Sequence, residues 1–251
     1  MSIIEDRVAG FGPITLEQMD EVKLLNRVDR KFIFGISQLP GILANLSKSY
    51  YALEIDGVRM QRYQTLYFDT PDHSLYRMHH NKRMNRFKVR NRKYLDSDLS
   101  YFEVKFKNNK DRTHKERKKV KGPQEMLDGK PAELLQKFTP YTSEHLQPSL
   151  WVWFSRLTLV NHAMTERATI DTGLSFRHGS EACNFPGLVI AEVKQDRSAS
   201  SVIADVLHRH HVRGSRISKY CLGMITTHPG IKMNNFKQKL HHINKLSHDL
   251  L

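Results

Sequence analysis

Hydrophobic and polar residues alternate along much of this chain with a period of two, which in an extended strand sends successive side chains to opposite faces. "NRFKVRNRKY" (85–94) shows it most plainly: Phe87 and Val89 share one face, Arg86, Lys88, Arg90 and Arg92 the other, and Asn91 is the polar exception. "SYFEVKFK" (100–107) sets Phe102, Val104 and Phe106 against Glu103, Lys105 and Lys107. Strands are also predicted over "RVDRKFIF" (27–34), "RYQTLYFDTPD" (62–72, ending in a turn), "THKERKKV" (113–120), "LWVWFSRLTLVN" (150–161), "ERATIDTGLSFR" (166–177) and "LVIAEVKQD" (188–196). Helical spacing appears in "TLEQMDEVKLLNR" (15–27, with Thr15 as cap), "QLPGILANLSKS" (38–49), "HSLYRMHHNKR" (73–83) and "SSVIADVLHRHH" (200–211). The tail, 234–251, places Phe236, Leu240, Ile243 and Leu246 to Leu250 on one helical face, suited to packing on the sheet or capping it. "RISKYCLGMITT" (216–227) reads as a strand or a strand-to-helix junction, and 123–150 as helix or loop broken by Pro131, Pro140 and Pro148. No linker or repeat divides the chain, so one α+β domain over 1–251 is expected.

Charge changes this picture. An ordinary half-buried sheet has a solvated face of mixed sign with Thr, Ser and Gln interspersed. Here the polar faces are mostly cationic: Lys115, Arg117 and Lys119 align, as do Glu192 with Lys194, Arg27 with Asp29 and Lys31, and Arg167 with Thr169 and Asp171, while Arg156 alternates with Leu157 and Leu159. The whole chain carries 40 Lys and Arg against 26 Asp and Glu, a formal net charge of +14, which suggests a polyanionic partner. Like charges on one strand face repel. A flat basic sheet could hold nucleic acid, but the aromatics read as lying on the opposite face, away from where bases would stack, so no specific nucleic-acid binding is expected. Curled into an antiparallel β-barrel with the charged face inward, the same sheet makes a basic tunnel. Such a lumen is costly unless it encloses a dense anion such as a triphosphate or a phosphate chain.

Other features are quieter. Cys183 and Cys221 form no disulfide or metal pattern, which fits a reducing compartment. "MSIIEDRVAGFG" lacks the basic start and apolar run of a signal peptide, and the apolar runs are too short to cross a bilayer, so a cytoplasmic protein is expected. His79 with His80, and His208 with His210 and His211, are expected on solvated helices rather than on a metal. Tyr220 and Trp151 are expected in the core.

The ordered series "DRKF", "VRNRKY", "FEVKFK", "KERKKV", "AEVK" and "RISKYCLG", spanning roughly residues 20–225, resembles the VTC domain. That is the polyphosphate polymerase domain of the vacuolar transporter chaperone complex and of bacterial stand-alone relatives, within the triphosphate tunnel metalloenzyme superfamily. The resemblance implies an antiparallel β-barrel tunnel with flanking helices, which binds ATP or another triphosphate with Mn²⁺ or Mg²⁺. The implied reaction transfers the γ-phosphoryl group to a growing inorganic polyphosphate chain. By motif, Arg90, Arg92, Lys105, Arg156, Arg167 and Lys219 become the catalytic cations. Lys31, Arg86, Lys88, Lys107, Lys115, Arg117, Lys119, Lys194 and Arg216 line the substrate path, Glu192 holds the metal, and Glu103 is a second carboxylate for metal or for a lumen cation. A membrane-protein partner that takes up the product is compatible with the resemblance, though nothing in the sequence shows one. The chain departs from the superfamily's E-x-E-x-K signature, with Arg27, Asp29 and Lys31 in its place, which argues against a two-metal triphosphatase. Two other readings stay open: a triphosphatase or polyphosphatase of the same fold, and a module that binds polyphosphate or inositol phosphates without turnover.

Overall fold

Every stretch with period-two alternation is a strand. The computed structural model describes residues 3–20, 22, 27–110, 112–197 and 199–247, Arg27 by its backbone alone. In chain order the elements are α1 (Ile3–Ala9), β1 (Gly12–Ile14), α2 (Leu16–Asp20), β2 (Arg27–Gly35), α3 (Leu39–Leu46), β3 (Tyr50–Leu53), β4 (Met60–Asp69), α4 (Ser74–His80), β5 (Arg86–Tyr94) and β6 (Leu99–Lys107). There follow β7 (Thr113–Val120), α5 (Lys130–Phe138), β8 (Gln147–Asn161), β9 (Glu166–His178), β10 (Glu181–Phe185), β11 (Leu188–Asp196), α6 (Val202–Arg209), α7 (Lys219–Thr227) and α8 (Lys237–Ser247).

The fold is α+β. Its sheet runs β2-β11-β9-β8-β4-β5-β6-β7, antiparallel throughout, with β10 added beside β9 and with β3 joining β8 to the short parallel strand β1. The path ends on β2 and β7, which do not pair with each other, so the expected barrel is a curled sheet that its strands do not close.

Alternation assigns the two faces different partners. On the outer face Phe32, Phe34, Leu157, Leu159, Ala191 and Val193 are buried beneath α1, α3 and α6. The outer face of β4 to β6, with Leu66, Phe68, Val89, Phe102 and Val104, is covered by Leu127, Leu134, Leu135 and Leu146 from α5 and its flanks. On the inner face, at one end only, Val152, Phe154, Phe176 and Ile190 pack on Tyr220, Cys221, Leu222 and Met224 of α7 and on Ile243 of α8. A Cβ at Gly223 would lie 2.4 Å from Leu150 and 2.6 Å from Phe176, so α7 touches the inner wall through a residue that has none.

Local chemistry sets the helix starts. Ser201 accepts a hydrogen bond from the Ala204 amide at 3.1 Å and Ser218 one from the Cys221 amide at 3.4 Å. Pro131 occupies the first turn of α5, where no amide is needed.

Several boundaries differ from those read in the sequence. The helix expected over 15–27 spans only Leu16–Asp20, and residues 21 and 23–26 of that stretch lie outside the described residues. Pro148 does not break a loop but sits inside β8, at a register shift opposite Tyr67 and Phe68, a position where a missing amide is tolerated. "KYCLGMITT" is helix throughout. His80 is buried at 1% exposure beneath the Phe236 ring, and a His79 ring nitrogen lies 3.0 Å from the Phe87 carbonyl, so these two are not on a solvated face. His208 and His211 are exposed as expected. In the tail Phe236, Leu240 and Leu246 join Ile243 against α7; Leu250 lies outside the described residues.

Candidate functional site

Register brings the charged side chains onto the concave face. Across β4, β5, β6 and β7 the rows Tyr67–Arg90–Glu103–Arg117 and Thr65–Arg92–Tyr101–Lys119 lie side by side, and Lys88 pairs with Lys105, which pairs with Lys115. On the other half Arg156 pairs with Asp171, and Glu192 lies between Thr169 and Lys31.

Three carboxylates organise these cations. Glu103, with no exposed side-chain surface, receives Nε and Nη2 of Arg90 on one oxygen at 2.7 and 2.6 Å and forms an ion pair with Lys115. Asp171 receives the Arg156 fork, Nε at 2.6 Å and Nη2 at 2.8 Å, together with Lys219. Glu192 is looser, 3.4 Å from Lys194 and 3.7 Å from Lys31, with about a quarter of its side chain exposed. Burial raises all three carboxyl groups, and the neighbouring cations overcome that: Asp171 falls to about 2, and Glu103 and Glu192 lie well below the carboxylate range.

The cations outnumber these partners. Among the described residues Arg92 has no carboxylate in contact; it reaches the Thr65 hydroxyl at 3.4 Å and lies 5.4 Å from the Tyr63 ring and 5.9 Å from the Phe154 ring. Lys88 donates to Ser218 Oγ at 3.1 Å. Arg90 and then burial push Lys105 well below the lysine range; burial first lowers Arg92, Lys88 and Lys219 as well. Anionic oxygens in this lumen would relieve that strain on the cations.

Three consecutive residues tie the walls together. Lys31 of β2 donates to the Ile217 carbonyl at 3.2 Å, Lys88 of β5 to Ser218, and Lys219 reaches Asp171 of β9. The edge strand β2 and the interior strands β5 and β9 therefore meet at the N-terminus of α7.

The remaining expected residues spread outward. Arg167 is half-buried on the lumen face, paired in register with Lys194. Arg86 and Lys107 are register partners at the end of the sheet nearest α4, both half-buried. Lys115, Arg117 and Lys119 lie on the edge strand β7, where Arg117 covers the Tyr101 ring at 4.7 Å. Arg216 is exposed, its carbonyl accepting from Lys239. Sequence reasoning missed Asp171 as a site residue, although it shares the face of Arg167, and it missed Ser218. The aromatics of β5 and β6, Phe87, Phe102 and Phe106, lie opposite the cations as expected, but Tyr63, Tyr67 and Phe154 stand among the cations, because β4 and β8 turn aromatic residues inward.

Among the described residues no three His, Cys, Asp or Glu side chains are grouped to hold a metal. Glu103, buried and paired twice, has no surface to offer. Glu192, with about a quarter of its side chain exposed, fits as one protein ligand of a metal.

Several solved structures resemble this chain at low identity. A Hippeastrum protein reported to have a dominant triphosphatase activity matches with TM-score 0.53 at 11% identity, over 79% of this chain and 95% of that one. A Vibrio parahaemolyticus protein matches with TM-score 0.46 at 13% identity, over 80% and 99%. A Pyrococcus horikoshii protein matches with TM-score 0.45 at 15% identity, over 79% and 98%. Among curated protein sequences none matches. The family comparison matches the VTC domain over residues 26–228, which takes in every lumen residue described above, and the chain belongs to the VTC domain family.

Proposed function

We propose that this protein is a metal-dependent polyphosphate polymerase that transfers the γ-phosphoryl group of ATP to a growing inorganic polyphosphate chain. The observation behind this reading is the excess of cations over carboxylates on the concave face of β5 to β7: Lys88, Arg90, Arg92 and Lys105, buried or half-buried, and the more exposed Lys115 share that face, among the described residues, with one carboxylate, Glu103. Phosphoryl transfer needs charge neutralisation and in-line placement more than covalent chemistry from the protein. Arg92, Lys105 and Lys88 would bind phosphate oxygens directly, while Arg156 and Lys219, held by Asp171, present a fixed pair of donors from the facing wall. A divalent ion, Mn²⁺ or Mg²⁺, held at Glu192 would act as Lewis acid and template on the phosphates.

Transfer to polyphosphate suits this lumen better than hydrolysis. The acceptor is an oxygen already ionised, so no general base is required. Glu103, the carboxylate best placed by sequence to orient a water, is occupied by Arg90 and Lys115. The Hippeastrum protein's triphosphatase activity keeps hydrolysis as the second reading.

The test is an incubation with ATP and Mn²⁺ or Mg²⁺, run on a gel for polymer and assayed for free phosphate. Polymer with little phosphate supports the polymerase; phosphate alone supports the hydrolase. No turnover with either metal, alongside tight triphosphate binding, would make the domain a binding module.

A further inference from the structure

Tyr67 stands across β4–β5 from Arg90 and is 5% exposed. Its hydroxyl oxygen accepts from Arg90 Nη1 at 3.2 Å, and its own proton has no acceptor among the described residues. Buried hydroxyl protons in folded proteins normally find one. The Arg90 guanidinium lies 5.8 Å from the ring centroid, and Arg92 and Lys88 add positive charge. The Tyr220 ring is 4.9 Å away, but its hydroxyl is committed to Asp69. Glu103 is held by Arg90 and Lys115. A donor in a positive field without an acceptor is matched by an anionic oxygen.

We propose that Tyr67 is a substrate-binding residue whose O–H donates to a phosphate oxygen of the bound triphosphate, so that binding requires the protonated phenol. This rests on the triphosphate reading of the lumen. The sign of the pH effect follows. Burial alone would raise the phenol, but Arg90, Arg92 and Lys88 outweigh it and bring it down to about 8 in the free protein. A bound anion holds the proton on and raises that value. The contribution of Tyr67 is therefore complete below pH 8 and disappears as pH climbs above it, by up to tenfold per unit.

The experiment measures affinity for inorganic tripolyphosphate, without metal, by calorimetry at pH 7, 8 and 9 for the wild type and Tyr67→Phe. Lys88, Lys105, Lys115 and Lys219 are also lowered toward the alkaline range as the ligand gains charge; both proteins carry these lysines, and Tyr67 itself acts on Lys88. The phenylalanine variant should bind about tenfold more weakly at pH 7, the scale of one charge-assisted hydrogen bond, and the gap should close by pH 9. Equal affinity at pH 7, or a gap that persists unchanged to pH 9, overturns the assignment and leaves the lumen reading intact. Failure of both proteins to bind at pH 7 overturns the lumen reading and this assignment with it. Melting curves check that the variant folds. As a second variant, 3,5-difluorotyrosine at position 67 keeps the hydroxyl but lowers its pKa. It should move the loss of affinity to lower pH, and an unmoved profile counts against the proposal.

Discussion

Replacing Asp171 by Asn would strip a buried charge from beneath two cations. Asp171 is 1% exposed, and its partners Arg156 and Lys219 keep 17% and 15% of their side-chain surface, so water cannot take over its role. Removing one partner of such a buried pair costs about 3 kcal/mol or more, most of it from the charges left uncompensated. For a chain of this size that lowers the melting temperature by about 6–12 °C. The acid side gives a second signature. Asp171 titrates near 2, against an ordinary 3.8, so its stabilisation is complete above about pH 4 and fades as pH falls toward 2. The gap between wild type and variant should shrink over that range. A third signature separates this from generic damage: tripolyphosphate can neutralise the orphaned Arg156 and Lys219, so a fixed ligand concentration should raise the melting temperature more in the variant. Every tenfold gain in affinity adds about 1.4 kcal/mol of ligand stabilisation. Scanning fluorimetry across pH, with and without tripolyphosphate, reads all three. A variant that melts within about 2 °C of the wild type would show that Asp171 does not neutralise the pair.

Other substitutions probe the same lumen. Arg92→Ala should weaken tripolyphosphate binding by roughly 10- to 100-fold with little change in melting temperature, because Arg92 leaves no carboxylate behind, whereas Arg90→Ala should lose both affinity and stability by abandoning Glu103. Equal melting losses in the two would refute that distinction. Glu192→Gln should keep the fold and triphosphate affinity while metal-dependent turnover drops by orders of magnitude; full turnover would remove Glu192 from the reaction. Gly223→Ala should destabilise by about 1–3 kcal/mol through collision with Leu150 and Phe176, measured by urea unfolding, and a neutral result would mean that α7 shifts freely.

Much of this site is legible in the sequence because period-two alternation fixes which side chains share a face. Lys88, Arg90, Arg92, Glu103 and Lys105 come together on that basis alone. Alternation does not say which face curls inward or what a neighbouring strand contributes there. It therefore misplaces Tyr63, Tyr67 and Phe154: β4 and β8 are buried on both faces, and their sequences carry no charged stripe to mark the inner one. Asp171 is visible beside Arg167 but looks like a solvated residue, since its partner Arg156 lies in a different strand and Lys219 in a helix. The helical state of 219–227 is obscured by its β-branched and aromatic residues; Ser218 as cap is the signal that resolves it. Pro148 misleads because a proline within a strand becomes acceptable only at a bulge, and a bulge is a property of the pair of strands.

The meeting of Lys31, Lys88 and Lys219 at residues 217–219 bears on how the bore of this lumen can change. Where a sheet closes on itself, strand number and stagger fix the diameter, and altering it means rebuilding the backbone ladder. Here β2 and β7 leave the ladder unfinished, and three lysines, together with the apolar packing of α7, bridge β2, β5 and β9 across the curl. Its span therefore depends in part on side-chain length. Exchanging a lysine for a shorter or longer donor, or Ser218 for another cap, would widen or narrow the lumen without disturbing a single strand pair. Point substitutions at these few joints would retune the bore and the charge spacing of the lumen.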